Sequence, residues 1–247
     1  VVLKPDEGQR GLGVKVVRDQ VAARSWFGGF SGDAVLQAFV AGKEYGVFYV
    51  RHPEEPAGRI LSVTLKQQLT VTGNGTDTLE TLILKHPRAI ALLKIFMGRF
   101  ADELDRIPEP GEMIPLGELG THSLGALFLD GRALITPELE AEVDRIARSY
   151  EGFYFGRFDI KAADDSAFMA GRDLKIIELN GLTSEATHIY DPKHGLLHAW
   201  RTLFRQWRTA YAIGESNRRQ GAAVSPVKDL VRDLLAAMKR QRRMRVP

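Results

Sequence analysis

The spacing of apolar and polar positions assigns most elements of the chain. Residues 1–4 and 14–17 predict two short strands, with Gly8-Gln9-Arg10-Gly11-Leu12-Gly13 as a hairpin-like glycine loop between them. Residues 34–39 form another apolar run. Residues 44–50, rich in Tyr, Val and Phe, predict a strand, as do residues 59–66. The polar stretch 72–78 predicts a loop, with Thr78 capping the helix that follows. Pro87 ends that helix and 88–104 predicts a second. Residues 107–120 are rich in Pro and Gly and predict irregular chain.

Thr136-Pro137-Glu138 predicts a helix start, with a threonine cap and proline in the first helical position. Leu139, Val143, Ile146, Ala147 and Tyr150 supply its apolar stripe. Residues 153–161 and 174–179 predict buried strands, and 199–213 and 227–238 predict helices. The last has Val227, Leu230, Val231, Leu234, Leu235 and Met238 on one side, which predicts packing against the body. Strands and helices interleave without a strict βαβα rhythm, so the expected class is α+β in two lobes.

Composition narrows this picture. At 247 residues and 44% apolar, the chain can build one large core or two lobes, and 26% charged residues is ordinary for a folded chain. The absence of cysteine excludes disulfides, a thiolate nucleophile and cysteine-ligated zinc or iron–sulfur centres. The longest apolar stretch, 89–97, is too short to span a membrane and is interrupted by Lys94. No signal-peptide pattern opens the chain, and a cytoplasmic location is expected. Val1-Val2-Leu3-Lys4 reads like the inside of a strand, so the chain is expected to be part of a longer polypeptide.

The net charge of +3 conceals an asymmetry. Lys239, Arg240, Arg242, Arg243 and Arg245 fall within the last ten residues, and the remainder carries −2. The body is therefore not a basic surface, and no nucleic-acid partner is expected. The basic end reads as a solvated helix terminus or as an attachment to an acidic partner or membrane face.

Candidate chemistry concentrates in two strands. Strand residues two apart share a face, so Arg157, Asp159 and Lys161 face one way, as do Glu178 and Asn180. Phe158, Ile160, Ile177 and Leu179 are expected to face the core. If the strands pair, Asp159, Glu178 and Asn180 present three oxygen ligands suited to a hard cation such as Mg²⁺ or Mn²⁺, with Arg157 beside them for a developing anion. The alternative is an ion cluster on two edge strands. Lys4 before the glycine loop can pair with phosphates, or the loop is a plain hairpin turn. Gln37, Phe39 and Val40, followed by Glu44, can form a hinge for a flat base and a sugar, or serve packing alone. His194 and His198 lie four apart, but no third ligand is evident, and Pro192 and Gly195 argue against a helix through His194. His188 and Asp191 suit substrate contact or a turn equally. Trp26, Trp200 and Trp207 are expected in the core, as are the aromatics of 45–49.

The order of these pieces resembles the ATP-grasp enzymes, and most closely the D-alanine–D-alanine ligase-like carboxylate–amine ligases, over about residues 1–190. The resemblance implies an ATP-grasp fold, two α+β lobes holding ATP between them. Residues 1–36 would be an incomplete small lobe and 37–214 the large lobe with the metal site. Residues 215–247 would form a basic amphipathic helix. Lys4 would contact the α/β phosphates, and the loop with Gly8, Arg10, Gly11 and Gly13 would close over ATP. Gln37, Phe39 and Val40 would frame adenine, with Gln37 standing where the ligases commonly have an acid. Glu44 would bind ribose, and Lys66 would reach the terminal phosphate. Asp159, Glu178 and Asn180 would hold Mg²⁺, and Arg157 would stabilise the tetrahedral intermediate. Thr183, Ser184 and His188 would lie near substrate, in a turn that differs from the D-alanine ligases.

The implied activity is ATP-dependent formation of a carbon–nitrogen bond from small-molecule or peptide carboxylates and amines. A phosphotransferase acting on a hydroxyl group and a non-catalytic ATP-binding regulatory module are the alternatives.

Overall fold

The computed structural model describes residues 1–7, 11–117 and 125–243. Gly8 and Arg10 of the glycine loop lie outside the described residues. The elements run β1 (Val2–Pro5), β2 (Lys15–Val16), α1 (Gln20–Gly29), β3 (Ala34–Gln37), β4 (Lys43–Val50), β5 (Arg59–Gln67), β6 (Thr70–Thr72), α2 (Leu79–Lys85), α3 (Leu93–Arg99), β7 (Met113–Pro115), β8 (Leu127–Asp130), α4 (Pro137–Arg148), β9 (Phe155–Ala162), α5 (Asp165–Met169), β10 (Lys175–Asn180), α6 (Leu196–Arg219) and α7 (Val227–Arg243). The class is α+β.

The central sheet is antiparallel throughout, in the order β10-β9-β4-β5-β8. Its period-two alternation sorts side chains to two different environments. One face carries Tyr45, Val47 and Tyr49 of β4, Val63 of β5, and Phe158 and Ile160 of β9. It packs on Leu139, Val143 and Ala147 of α4 and Phe168 of α5. Tyr45 stacks on Phe168 with ring centroids 3.8 Å apart. The two buried tyrosine hydroxyls donate to carboxylates, Tyr45 to Asp165 and Tyr49 to Asp144, each at 2.6 Å. Burial and the adjoining carboxylate push both phenols up, so they remain neutral donors.

The opposite face alternates out of phase. Phe48 and Val50 pack there on Phe155, Ala186 and Ile213 of α6. The rest of that face is polar, carrying Glu44, Ser62, Thr64, Lys66, Arg157 and Asp159.

Two smaller units flank this sheet. β2-β1-β3 forms a three-stranded antiparallel sheet whose core is Leu3, Val17 and Trp26 of α1. The strands β6 and β7 pair beside α2 and α3 around Leu69, Val71, Leu79, Ile83, Phe96 and Leu116.

The caps follow the sequence. Thr78 accepts from the Thr81 N–H, and Thr136 accepts from the Leu139 N–H with Pro137 opening α4. Other expectations need correction. The region 107–120 contains β7, because Gly73 N–H donates to Glu112 O and Leu116 N–H to Leu69 O, extending a ladder on both sides of three residues. The helix expected over 88–104 is confined to Leu93–Arg99 behind a short 3-10 turn, with Gly98 weakening its end. Tyr150 lies beyond α4 and is exposed. Trp26 is buried, but Trp200 and Trp207 are 63% and 50% exposed on α6. α7 is helical and amphipathic, yet its apolar side chains are 46–75% exposed and no described element covers them. α6 runs unbroken across the division expected between 214 and 215.

Candidate active site

Strands β9 and β10 form the hairpin on which the candidate site is built. Asp159 pairs with Glu178 and Asn180 with Arg157, directly across the ladder. Residues opposite each other in an antiparallel pair point to the same face, so all four converge on the polar face. A register shift between Ile176 and Glu178 makes this alignment possible. It also changes two expectations: Ile176, opposite Ile160, packs on the core where Ile177 was expected, and Leu179 pairs with Phe158 but on the edge strand is 37% exposed, while Phe158 and Ile160 are buried.

The hairpin is held against β4 and β5 by charge. Lys66 Nζ donates to Glu44 Oε1 at 2.6 Å and lies 2.9 Å from Asp159 Oδ2, with only 5% of its side chain exposed. Arg157 Nε donates to Asp159 Oδ1 at 3.1 Å, and its Nη1 to Glu185 O at 3.2 Å. Two cations thus face two carboxylates in a half-buried cluster, each charge compensated by a neighbour. The side-chain amide nitrogen of Asn180 is buried without a partner. An unpaired buried amide N–H calls for an acceptor such as a phosphate oxygen, and the amide oxygen is the atom that can face a cation. Two carboxylates and an amide match the hard oxygen donors that Mg²⁺ takes, and the residues present fit that ion.

The other expected residues fall in two places. Lys4 lies on β1 opposite Val35, and Gly11 and Gly13 adopt φ of 71° and 73° in the turn that follows. Gln37, Phe39 and Val40 lead from β3 into β4. Gln37 Nε2 reaches Ile177 O at 3.4 Å, linking the small sheet to β10. Lys161, on the same face as Asp159, donates to Val40 O at 2.9 Å, with its ammonium 5.3 Å from the Phe39 ring centroid. The sequence placed Lys161 on this face without giving it a role. Here it fixes the hinge.

Among the residues after Asn180, Thr183 is exposed. Ser184 Oγ donates to Gly181 O at 2.6 Å, a turn-stabilising bond. Gln206, buried on α6, clasps this turn from outside: its Oε1 accepts from Ala186 N–H at 3.0 Å and its Nε2 donates to Ser184 O at 2.7 Å. Its signal in the sequence is only a polar residue on an inward helix position.

His188 is 2% exposed, and neither ring nitrogen has a partner. Burial pushes its pKa down to about 4, so it is neutral near pH 7. It meets His194 and His198, bringing together the third histidine that spacing did not reveal. The rings of His194 and His198 stack face to face at 3.8 Å. Their nitrogen lone pairs therefore lie in nearly parallel planes, and among the described residues no group of three or more His, Asp or Glu is placed to hold a metal.

No protein-family model matches the chain. The chain is 23% identical over 218 residues to the cyanophycin synthetase of Geminocystis herdmanii, covering 79% of this chain and 24% of that protein. It thus spans about a quarter of the curated relative it matches. Among solved structures, a bifunctional glutathione synthetase from Pasteurella multocida superposes with TM-score 0.47 and 20% identity, over 84% of this chain and 30% of that one. D-alanine–D-alanine ligase from Bacillus anthracis gives TM-score 0.44 and 13% identity, over 88% and 53%. Among the described residues no helix is long and apolar enough to cross a membrane.

Proposed function

We propose that this chain carries the nucleotide- and Mg²⁺-binding part of an ATP-grasp carboxylate–amine ligase. The observation that carries the reading is the pairing of Asp159 with Glu178 beside Asn180, on the face where Lys66 and Arg157 supply cations. The names of the sequence relative and of both solved structures, two synthetases and a ligase, point the same way.

In this reading Asp159, Glu178 and Asn180 would hold Mg²⁺, which when bound neutralises phosphate charge during transfer. Lys4 and the turn with Gly11 and Gly13 approach the phosphates from the small sheet. The segment with Gln37, Phe39 and Val40 borders the base, and Glu44 the sugar. A substrate carboxylate oxygen attacks the γ-phosphorus, the bridging P–O bond breaks and ADP leaves. An amine then attacks the acyl carbon, gives up a proton, and inorganic phosphate departs. Lys66 meets the charge on the transferring phosphoryl group, and Arg157 meets the oxyanion that forms at the acyl carbon. No side-chain nucleophile is required, in keeping with a chain without cysteine.

The test is ADP release by the polypeptide that contains this chain, assayed with panels of carboxylates and amines. Release that requires both co-substrates supports the ligase. Release with a hydroxyl acceptor alone selects a phosphotransferase, and Mg²⁺-dependent ATP binding without turnover selects a binding module.

A further inference from the structure

Beyond the charge cluster on the same face of the central sheet, a cavity of about 60 Å³ opens between β5, the turn after Asn180 and α6. Ser62 and His188 form its inner wall, 3% and 2% exposed. The Ser62 hydroxyl and both His188 nitrogens have no partner. Arg132 and Arg205 line the cavity from exposed positions, and no acidic partner for either guanidinium is found among the described residues.

We propose that this cavity is a binding site for a small oxyanion, a carboxylate or a phosphate group, held by Ser62 and His188 within and by Arg132 and Arg205 at its mouth.

Buried polar groups are almost always paired, and two unpaired side chains on one small cavity call for an occupant. The lining decides its chemistry. Gln206 also borders the space, but its carbonyl and its amide are already engaged by Ala186 and Ser184. The nearby Asp130 has both oxygens committed, to Arg132 N–H at 3.0 Å and to His194 Nε2 at 3.0 Å. What remains is the hydroxyls of Ser62 and Thr202, an imidazole N–H and two guanidinium groups, a set of donors with net positive charge that matches an oxyanion. Since His188 stays neutral, it offers one N–H, and the two arginines supply the charge.

The position gives the site its meaning. Thr187, adjacent to His188, shares a hydrogen bond of 3.0 Å with Thr64, the next site-facing residue of β5 between Ser62 and Lys66. Ser62 and Lys66 lie four residue steps apart along β5, roughly 13 Å. The oxyanion site therefore adjoins the charge cluster on the same sheet face without sharing a residue with it, and it stands whether or not the ligase reading does.

The test is a titration of the ¹⁵N-labelled 247-residue chain with sodium acetate and, separately, with inorganic phosphate at constant ionic strength, reading the histidine ring signals. A saturable shift of the His188 ring with either anion is expected, and the responding arm identifies the group. The dissociation constant should rise about tenfold or more in Arg132→Ala/Arg205→Ala, whose exposed positions spare the fold. Ser62→Ala should weaken the same response. No saturable shift with either anion, or an unchanged constant in the double arginine variant, overturns the proposal. Binding of Mg²⁺-ATP, measured on the same samples, reports the nucleotide site separately, so the two readings fail independently.

Discussion

At the scale of single residues the site is organised around Lys66. A lysine with 5% of its side chain exposed is tolerable because Glu44 and Asp159 both sit within 3 Å of its ammonium. Removing it leaves Glu44 without its cation and Asp159 held by Arg157 alone. Lys66→Met is expected to lose about 3 kcal/mol of stability, measured by urea denaturation, and a loss below about 1 kcal/mol would show that the pairs are solvated instead. Arg157→Ala should reduce turnover by about 10²–10³ while keeping ATP binding; a folded variant that no longer binds ATP would remove the oxyanion role. His188 gives a pH signature. Its ordinary pKa of 6.5 is depressed by burial to about 4, so the unfolded chain takes up the proton first as pH falls. The His188 contribution is full above pH 6.5 and is lost as pH falls toward 4, by about 3 kcal/mol in all. Denaturation of wild type and His188→Asn across that window checks it: the variant should show the shallower decline. The sequence made Arg157, Asp159, Glu178 and Asn180 legible because a two-residue period along two strands is local. The dual pairing of Lys66 and the meeting of His188 with His194 and His198 depend on which strands and turns become neighbours, and no spacing records that.

At the scale of elements, the register of β9 against β10 sets the site. Gly156 lies against the end of β10: a methyl group there would sit 2.3 Å from the Asn180 carbonyl oxygen, which is backbone and cannot swing aside. Gly156→Ala should therefore push the end of β10 outward and weaken Mg²⁺-dependent nucleotide binding while much of the α4-facing core persists. Calorimetric ATP titrations of the folded variant test this, and an unchanged affinity would mean that the strand end does not position Asn180. The central strands were readable because β-branched and aromatic residues alternate along them, and α4 because its cap and proline announce it. β7 was hidden, since three residues carry no period and their strand character comes from the partner β6. α7 shows the limit of amphipathicity: a stripe of Val227, Leu230, Val231, Leu234, Leu235 and Met238 says that a face can be buried, not against what.

At the scale of the molecule, the buried apolar side chains among the described residues form four clusters. The largest lies between the central sheet and α4 and α5, where β4 is bonded on both sides by β5 and β9. The small sheet rests on a smaller cluster, Leu3, Val17 and Trp26 with Ala22, Ala23 and Phe30 packed against them. Local opening follows the density of buried contacts. Native-state hydrogen exchange is expected to be slowest in β4 and β9 and much faster in β1 and β3. Equal protection of the two sheets would mean that the clusters unfold as one. The β6–β7 pair, a third sheet beside the central and three-stranded ones, was not foreseeable, because its strands lie about forty residues apart with two helices between them.

Trp26 joins the small sheet to the glycine turn: its indole N–H donates to Gly13 O at 2.9 Å, and it is the buried tryptophan of the three, with Trp200 and Trp207 half or more exposed. The chain therefore contains its own optical probe. With Trp200 and Trp207 replaced by phenylalanine, the remaining emission comes from a single indole whose environment changes whenever the turn beside Lys4 moves. Engagement of phosphates there can be followed by colour and lifetime, with no label attached.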